Sequence, residues 1–205
     1  MTTQRMKKME DDLTFSEISC IAGDAPGWGD VQTLLDLPAS GGGVQAAGAS
    51  SLMVRGLARL EGGKLAIRED VAAKVELLFR PSNPVWLSRS DGSGLNAAVA
   101  LVPVSREATC VASLSAPGVY AIAPLKPTQD PVIQLRDLVM ALAKDGKTAM
   151  TLGPKEAPNE LLLGHDGDSW TIGRSVDEAA KHQKTDSEAT AAAIVEERIR
   201  AWLQD

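Results

Sequence analysis

The sequence predicts an α+β fold: a winged-helix-like helical N-terminal part, an antiparallel sheet, and amphipathic C-terminal helices. Three observations predict it. Capped, helix-periodic segments and one Gly-Gly hairpin occupy the chain before Pro81. Four β-prone runs separated by short turns follow Pro84. Two longer apolar stripes at helical spacing, Val132 to Leu142 and Val195 to Leu203, fall in the C-terminal part. The expected organisation is a charged flexible tail over 1–12 and a single α+β domain over 13–205. Within it, 13–82 is the helical, winged part and 83–205 the antiparallel sheet with two helices.

Thr14 stands three residues before Glu17, the capping-box spacing that satisfies free amides at a helix start, so a short helix from Phe15 to about Ala22 is expected. Gly23 to Gly29, with Pro26, reads as a loop. "DVQTLLDLP" then offers a turn or two of helix closed by Pro38, and "SGGG" breaks the chain. From Val44 to Leu57 the apolar residues Val44, Ala47, Leu52 and Leu57 alternate with small ones, which fits a helix packed closely through its Gly48 and Ser51 face. Gly62 and Gly63 between "ARLE" and "KLAI" supply the positive φ of a two-residue hairpin. Asp70 opens a helix with Val71, Val75 and Leu78 on one face, stopped by Pro81.

"VWLSRS", "LNAAVALVPVS", "EATCVASLS" and "VYAIAPL" are divided by Asp91-Gly92, Arg106-Glu107 and Pro117-Gly118, the pattern of an antiparallel meander. Asp130-Pro131 starts a helix that buries Val132, Leu135, Val139 and Leu142 until Gly146 ends it. "TAMTL", "ELLLG" and "SWTIG" are further strands. Thr185 and Glu188 form a second capping-box pattern before a last helix that buries Val195, Ile199, Trp202 and Leu203 and pairs Glu196 with Arg200.

The 205 residues are 44% hydrophobic, enough for a substantial core. A net charge of -6 and a pI near 5.0 give an average field that repels phosphate backbones and anionic lipid. Cys20 and Cys110 are too few and too far apart for a disulfide framework or a paired zinc site, which suits a reducing cytoplasm. No apolar run reaches the length of a membrane span, and no signal-like stretch follows the charged start.

No residue set marks a catalytic site, a cofactor site or a metal site. "ALAKDGKT", from Ala141 to Thr148, meets the loose P-loop pattern through Lys147 and Thr148. A P-loop needs a strand before the loop and a helix after it, and here the order is reversed, so a helix end at Gly146 is the better reading. His165 falls in a hairpin turn and His182 in a polar linker, both expected in solvent. No serine sits in a G-x-S-x-G elbow, and Asp166 with Asp168 offers too few oxygens for calcium. Along the winged segment only Gln45 and Arg55 could reach bases from the helix. Arg59, Lys64 and Arg68 alternate with Glu61, Glu69 and Asp70, which favours a structural or protein-contacting module over a DNA reader.

The order "SSLMVRGLARLEGGKLAIREDVAA", then "VWLSRSDG", then "AAVALVP" and "VASLSAPG" resembles actinobacterial proteins of the EspG type, chaperones of type VII (ESX) secretion. The matching positions are Leu52, Arg55, Gly56, Leu57, Gly63 and Leu65, expected as structural rather than catalytic residues, and the likeness spans Leu52 to Leu125. The resemblance implies a non-enzymatic cytoplasmic adaptor without cofactors. It would shield an apolar surface of a client protein, such as a small helical secretion substrate, with a homodimer also open and no membrane partner. The alternative is a winged-helix transcription regulator using Gly43 to Arg68 on DNA, with the C-terminal half as a sensor or dimerisation part. Gly56 is expected where a Cβ would clash, and Arg55 beside it is expected to bind a carboxylate or helix-end carbonyls.

Overall fold

The computed structural model describes residues 12–80, 82–90, 95–103, 110–125, 129–144, 150–154, 157, 160–173 and 183–203. The chain forms two compact units, one drawn from Met1–Arg80 with Ala112–Pro124, the other from Pro81–Val111 with Leu125–Asp205. The architecture is α+β, and its strand pairs are antiparallel.

The first unit opens with β1 (Leu13–Thr14), which pairs with β7 (Val119–Pro124), Leu13 opposite Tyr120. Two residues leave no alternation to read, so β1 escapes sequence reasoning. Thr14 then caps α1 (Phe15–Ala22): its hydroxyl accepts from the Glu17 amide at 3.2 Å while the Glu17 carboxylate accepts from the Thr14 amide at 2.8 Å. Helix α2 (Trp28–Leu34) begins inside the expected Gly23–Gly29 loop. Gly27 turns the chain at φ +86, which lets the Trp28 ring bury itself and its indole N–H reach Ser40 Oγ at 2.9 Å.

Helix α3 spans Gly42–Val54 rather than Val44–Leu57. It stops early because Gly56 turns left-handed at φ +68, and the Leu57 amide then reaches back to the Leu52 carbonyl at 2.8 Å. Strands β2 (Ala58–Glu61) and β3 (Lys64–Ile67) close round Gly62 and Gly63, at φ +57 and +79, the dihedral signs of a type I′ turn. Helix α4 (Glu69–Glu76) starts one residue ahead of Asp70 and tightens into a 3₁₀ turn, Leu77–Phe79, while Pro81 lies outside the described residues. Ile18, Leu52, Leu57, Val71, Val75 and Ile122 lie in the core of this unit. Beside β7 in the sheet runs β6 (Cys110–Ala116), joined to it through Gly118 at φ +72.

In the second unit the strand order is β5-β4-β8-β9-β10-β11, with β4 (Ser82–Ser90), β5 (Leu95–Pro103), β8 (Met150–Pro154), β9 (Leu161–His165), β10 (Trp170–Gly173) and β11 (Gln183–Thr185). Alternate residues of β4, β8, β9 and β10, among them Leu87, Leu152, Leu163 and Ile172, face two helices, α5 (Pro131–Lys144) and α6 (Glu188–Trp202). Val132, Leu135 and Val139 of α5 and Val195 and Ile199 of α6 are buried, whereas Leu142, Trp202 and Leu203 are only partly so.

The last helix is capped differently from the expected box. Ser187 is its N-cap, accepting from the Thr190 amide at 3.3 Å, and Thr185 ends the edge strand β11 in what reads from sequence as a linker. Sequence patterning cannot see β11, because its residues are exposed or half-buried and show no apolar alternation. The expected turns at Asp91-Gly92 and Arg106-Glu107 and the helix end at Gly146 lie outside the described residues.

Candidate protein-binding surface

The residues singled out in the N-terminal part gather around the end of α3. Glu17 is fully buried, and its two carboxylate oxygens meet three donors. The Thr14 amide donates at 2.8 Å, Ser51 Oγ at 2.7 Å, Arg55 Nη1 at 2.7 Å, and the Glu17 carboxylate in turn completes the capping box. Arg55 also sends Nη2 to the Asp12 carbonyl at 2.9 Å, so one guanidinium ties the end of α3 to the start of α1. Asp12 is itself buried, while residues 1–11 of the expected tail lie outside the described residues.

Burial pushes the Glu17 carboxyl up, but the Thr14 amide, the Ser51 hydroxyl and Arg55 together outweigh it and hold the group below the usual glutamate range. It is therefore an anion in a dry setting, paired and hydrogen-bonded, and its chemistry is that of a clamp.

Leu52 and Leu57 are buried on either side of this clamp. Gly56 does not sit against anything: a Cβ there would meet no atom within 4 Å, and the positive φ alone constrains the position. The close approach belongs instead to Gly48, whose Cβ would lie 1.9 Å from the Ser16 carbonyl oxygen. Gly63 is half of the hairpin turn, and Leu65 is half-buried opposite Leu60.

Around this buried frame the outward side of α3 carries no charge. Gly43, Ala46, Ala47, Ser50, Met53 and Val54 are exposed, and the sequence contains no Asp, Glu, Lys or Arg from Leu37 through Val54. Val54 is 88% exposed, Met53 38% and Leu60 on the hairpin 64%. Sequence reasoning passed over Met53, Val54 and Leu60, although the run without charge was a readable signal.

The three arginines of the winged segment are engaged. Arg55 serves Glu17, Arg59 pairs with Glu61, and Arg68 pairs with Asp70, whose carboxyl that contact lowers to about 2. Gln45 is half-buried and Lys64 exposed.

Elsewhere, α5 runs to Lys144 and β8 follows from Met150, so a helix precedes and a strand follows the P-loop lookalike, whose Lys147 and Thr148 lie outside the described residues. His165 is not a turn residue in solvent. It ends β9 opposite Trp170, with ring centroids 4.4 Å apart. His182 lies outside the described residues. Asp166 accepts from the Ser169 amide and hydroxyl at 3.1 and 3.0 Å, an interaction within the turn. Burial pushes the Cys20 thiol up, and Cys110 to about 12, so both are protonated at neutral pH and poor nucleophiles there. Among the described residues no three His, Cys, Asp or Glu side chains are grouped to hold a metal ion, and no helix is long and apolar enough to cross a membrane.

No family model matches the chain. No curated protein matches it either.

Proposed function

We propose that this chain is a non-enzymatic, cytoplasmic protein-binding adaptor or secretion chaperone that shields an apolar surface of a client protein. The observation that carries the reading is the charge-free outer side of α3, ending in Met53 and Val54, held by the buried Glu17–Arg55 clamp. A solvated helix face ordinarily carries charge, and an apolar side chain as exposed as Val54 at the end of an uncharged face marks a place for a partner. The rigid frame behind it lowers the ordering cost of binding. The EspG-type resemblance adds the class of client, a small helical secretion substrate.

The transcription-regulator alternative gains no comparable support, since Arg55, Arg59 and Arg68 all have carboxylate partners. Val54→Lys separates the two readings. Placing a photo-crosslinking residue at Met53 in the producing cells should trap one protein, and Val54→Lys should remove that adduct. On the DNA reading the same substitution adds a cation to the recognition helix and tightens salt-dependent DNA binding. Tighter DNA binding with an unchanged crosslinking pattern would overturn the adaptor.

A further inference from the structure

The hairpin β2–β3 is a sheet of two strands, and among the described residues no third strand pairs with either. Its two edges differ. Leu65, Ala66 and Ile67 of β3 are half-buried, whereas Arg59, Leu60 and Glu61 of β2 are all exposed.

The hydrogen-bond phase of β2 follows from its register. Glu61 faces Lys64 across the two-residue turn, and at the other end the Arg68 amide donates to the Leu57 carbonyl at 2.9 Å. In an antiparallel pair the bonded and non-bonded positions alternate, so Leu57, Arg59 and Glu61 turn their peptide groups toward β3. Ala58 and Leu60 turn theirs outward; Ala58 is buried, so the open part of this edge, with its unpaired donor and acceptor, is at Leu60. The side chains alternate in the same way. Leu60, at 64% exposure, shares one side with Leu65, its cross-strand partner, while Arg59 and Glu61 share the other and pair with each other.

From this edge we infer that β2 pairs antiparallel with β2 of a second copy of the chain, centred on Leu60. The two Leu60 residues exchange both main-chain hydrogen bonds, giving a four-stranded sheet across the two-fold axis. This register sets Arg59 of each copy directly opposite Glu61 of the other, twice over. It also continues the apolar side from Leu65 through Leu60 into the second copy. An occupant is chosen by charge complementarity: the Arg-Leu-Glu order is self-complementary when reversed about its centre. A one-residue slip would bring Leu60 against a charged side chain and lose both pairs. The inference does not depend on the client-binding reading, because it concerns a different edge and is measured without a client.

Sedimentation over a concentration series tests it, using the whole chain. Wild type should pass from monomer to dimer as concentration rises. Arg59→Glu and Glu61→Arg, both at exposed positions that keep the fold, should each weaken the dimer at least about tenfold, because each sets like charges opposite one another. An equimolar mixture of the two variants should recover the dimer as a heterodimer, and Arg59→Glu combined with Glu61→Arg in one chain should recover it as a homodimer. A wild type that stays monomeric to about millimolar concentration overturns the inference, as does a dimer that either single reversal leaves unchanged, or a mixture that fails to associate.

Discussion

At the scale of single residues, two glycines of α3 and its end do different work. Gly48 allows α3 to touch the main chain of α1, so Gly48→Ala must push two backbones apart. A loss of about 2–3 kcal/mol is expected, as for other overpacked contacts. Gly56 has room for a side chain and is held only by its positive φ, so Gly56→Ala should cost about 1–2 kcal/mol, the smaller of the two. Urea unfolding of both variants checks the order, and equal losses would refute the distinction. Arg55 and Glu17 act as one unit. Arg55→Ala leaves a buried carboxylate without its cation and should cost about 3 kcal/mol. Adding Glu17→Gln should cost much less than the sum, since the charge that needed Arg55 is gone, and a double-mutant cycle measures the coupling.

Element boundaries are decided by small local contests. Thr185 and Glu188 satisfy the capping-box spacing, yet the helix starts two residues later, because Thr185 is taken by β11 and its hydroxyl accepts from the Ser187 amide at 3.1 Å. Ser187→Ala should therefore cost about 1 kcal/mol, and Thr185→Ala less, by thermal unfolding. The opposite ranking would restore Thr185 as the cap. Across α5 and α6, Arg136 and Arg200 share the Glu196 carboxylate, and Arg200 also reaches Asp130 at 2.7 Å. Arg136, Glu196 and Arg200 are half-buried at the rim of the helix pair, where solvent still screens their charges, so these pairs orient the two helices more than they stabilise them. Val54→Lys removes no buried contact and places a cation at the C-terminal end of α3, where the helix dipole welcomes it. Its melting temperature should match wild type while client capture is lost.

For the whole molecule, the shifted carboxylates among the described residues all move the same way. Glu17 is lowered by the balance already described, Asp130 and Glu196 chiefly by Arg200, Asp166 by Ser169 and Asp70 by Arg68. Each folded-state value lies below its unfolded one, so the unfolded chain binds more protons in acid. The stability these groups contribute is complete above the ordinary carboxylate range, about pH 4–5, and drains away as pH falls through it toward the folded values. Melting temperatures from pH 7 to pH 3 should decline steadily below about pH 5. Glu17→Gln should flatten part of that decline, and a profile unchanged by it would remove Glu17 from the account.

The sequence by itself determined the α+β class, the capping box at Thr14 and Glu17, the Gly62-Gly63 turn and the apolar stripes of α5 and α6. Each is written in neighbours a few residues apart, where propensity, capping and periodicity act. Only the tertiary structure decided which residues meet across the chain. Arg55 finds Glu17 and Asp12 through helix packing, Gly48 is small because α1 passes beside it, and β1 and β11 exist because a neighbouring strand offers an edge. Exposure was decided there too: Leu52 and Val54 are both apolar and two residues apart, yet a helix turns one into the core and the other to solvent.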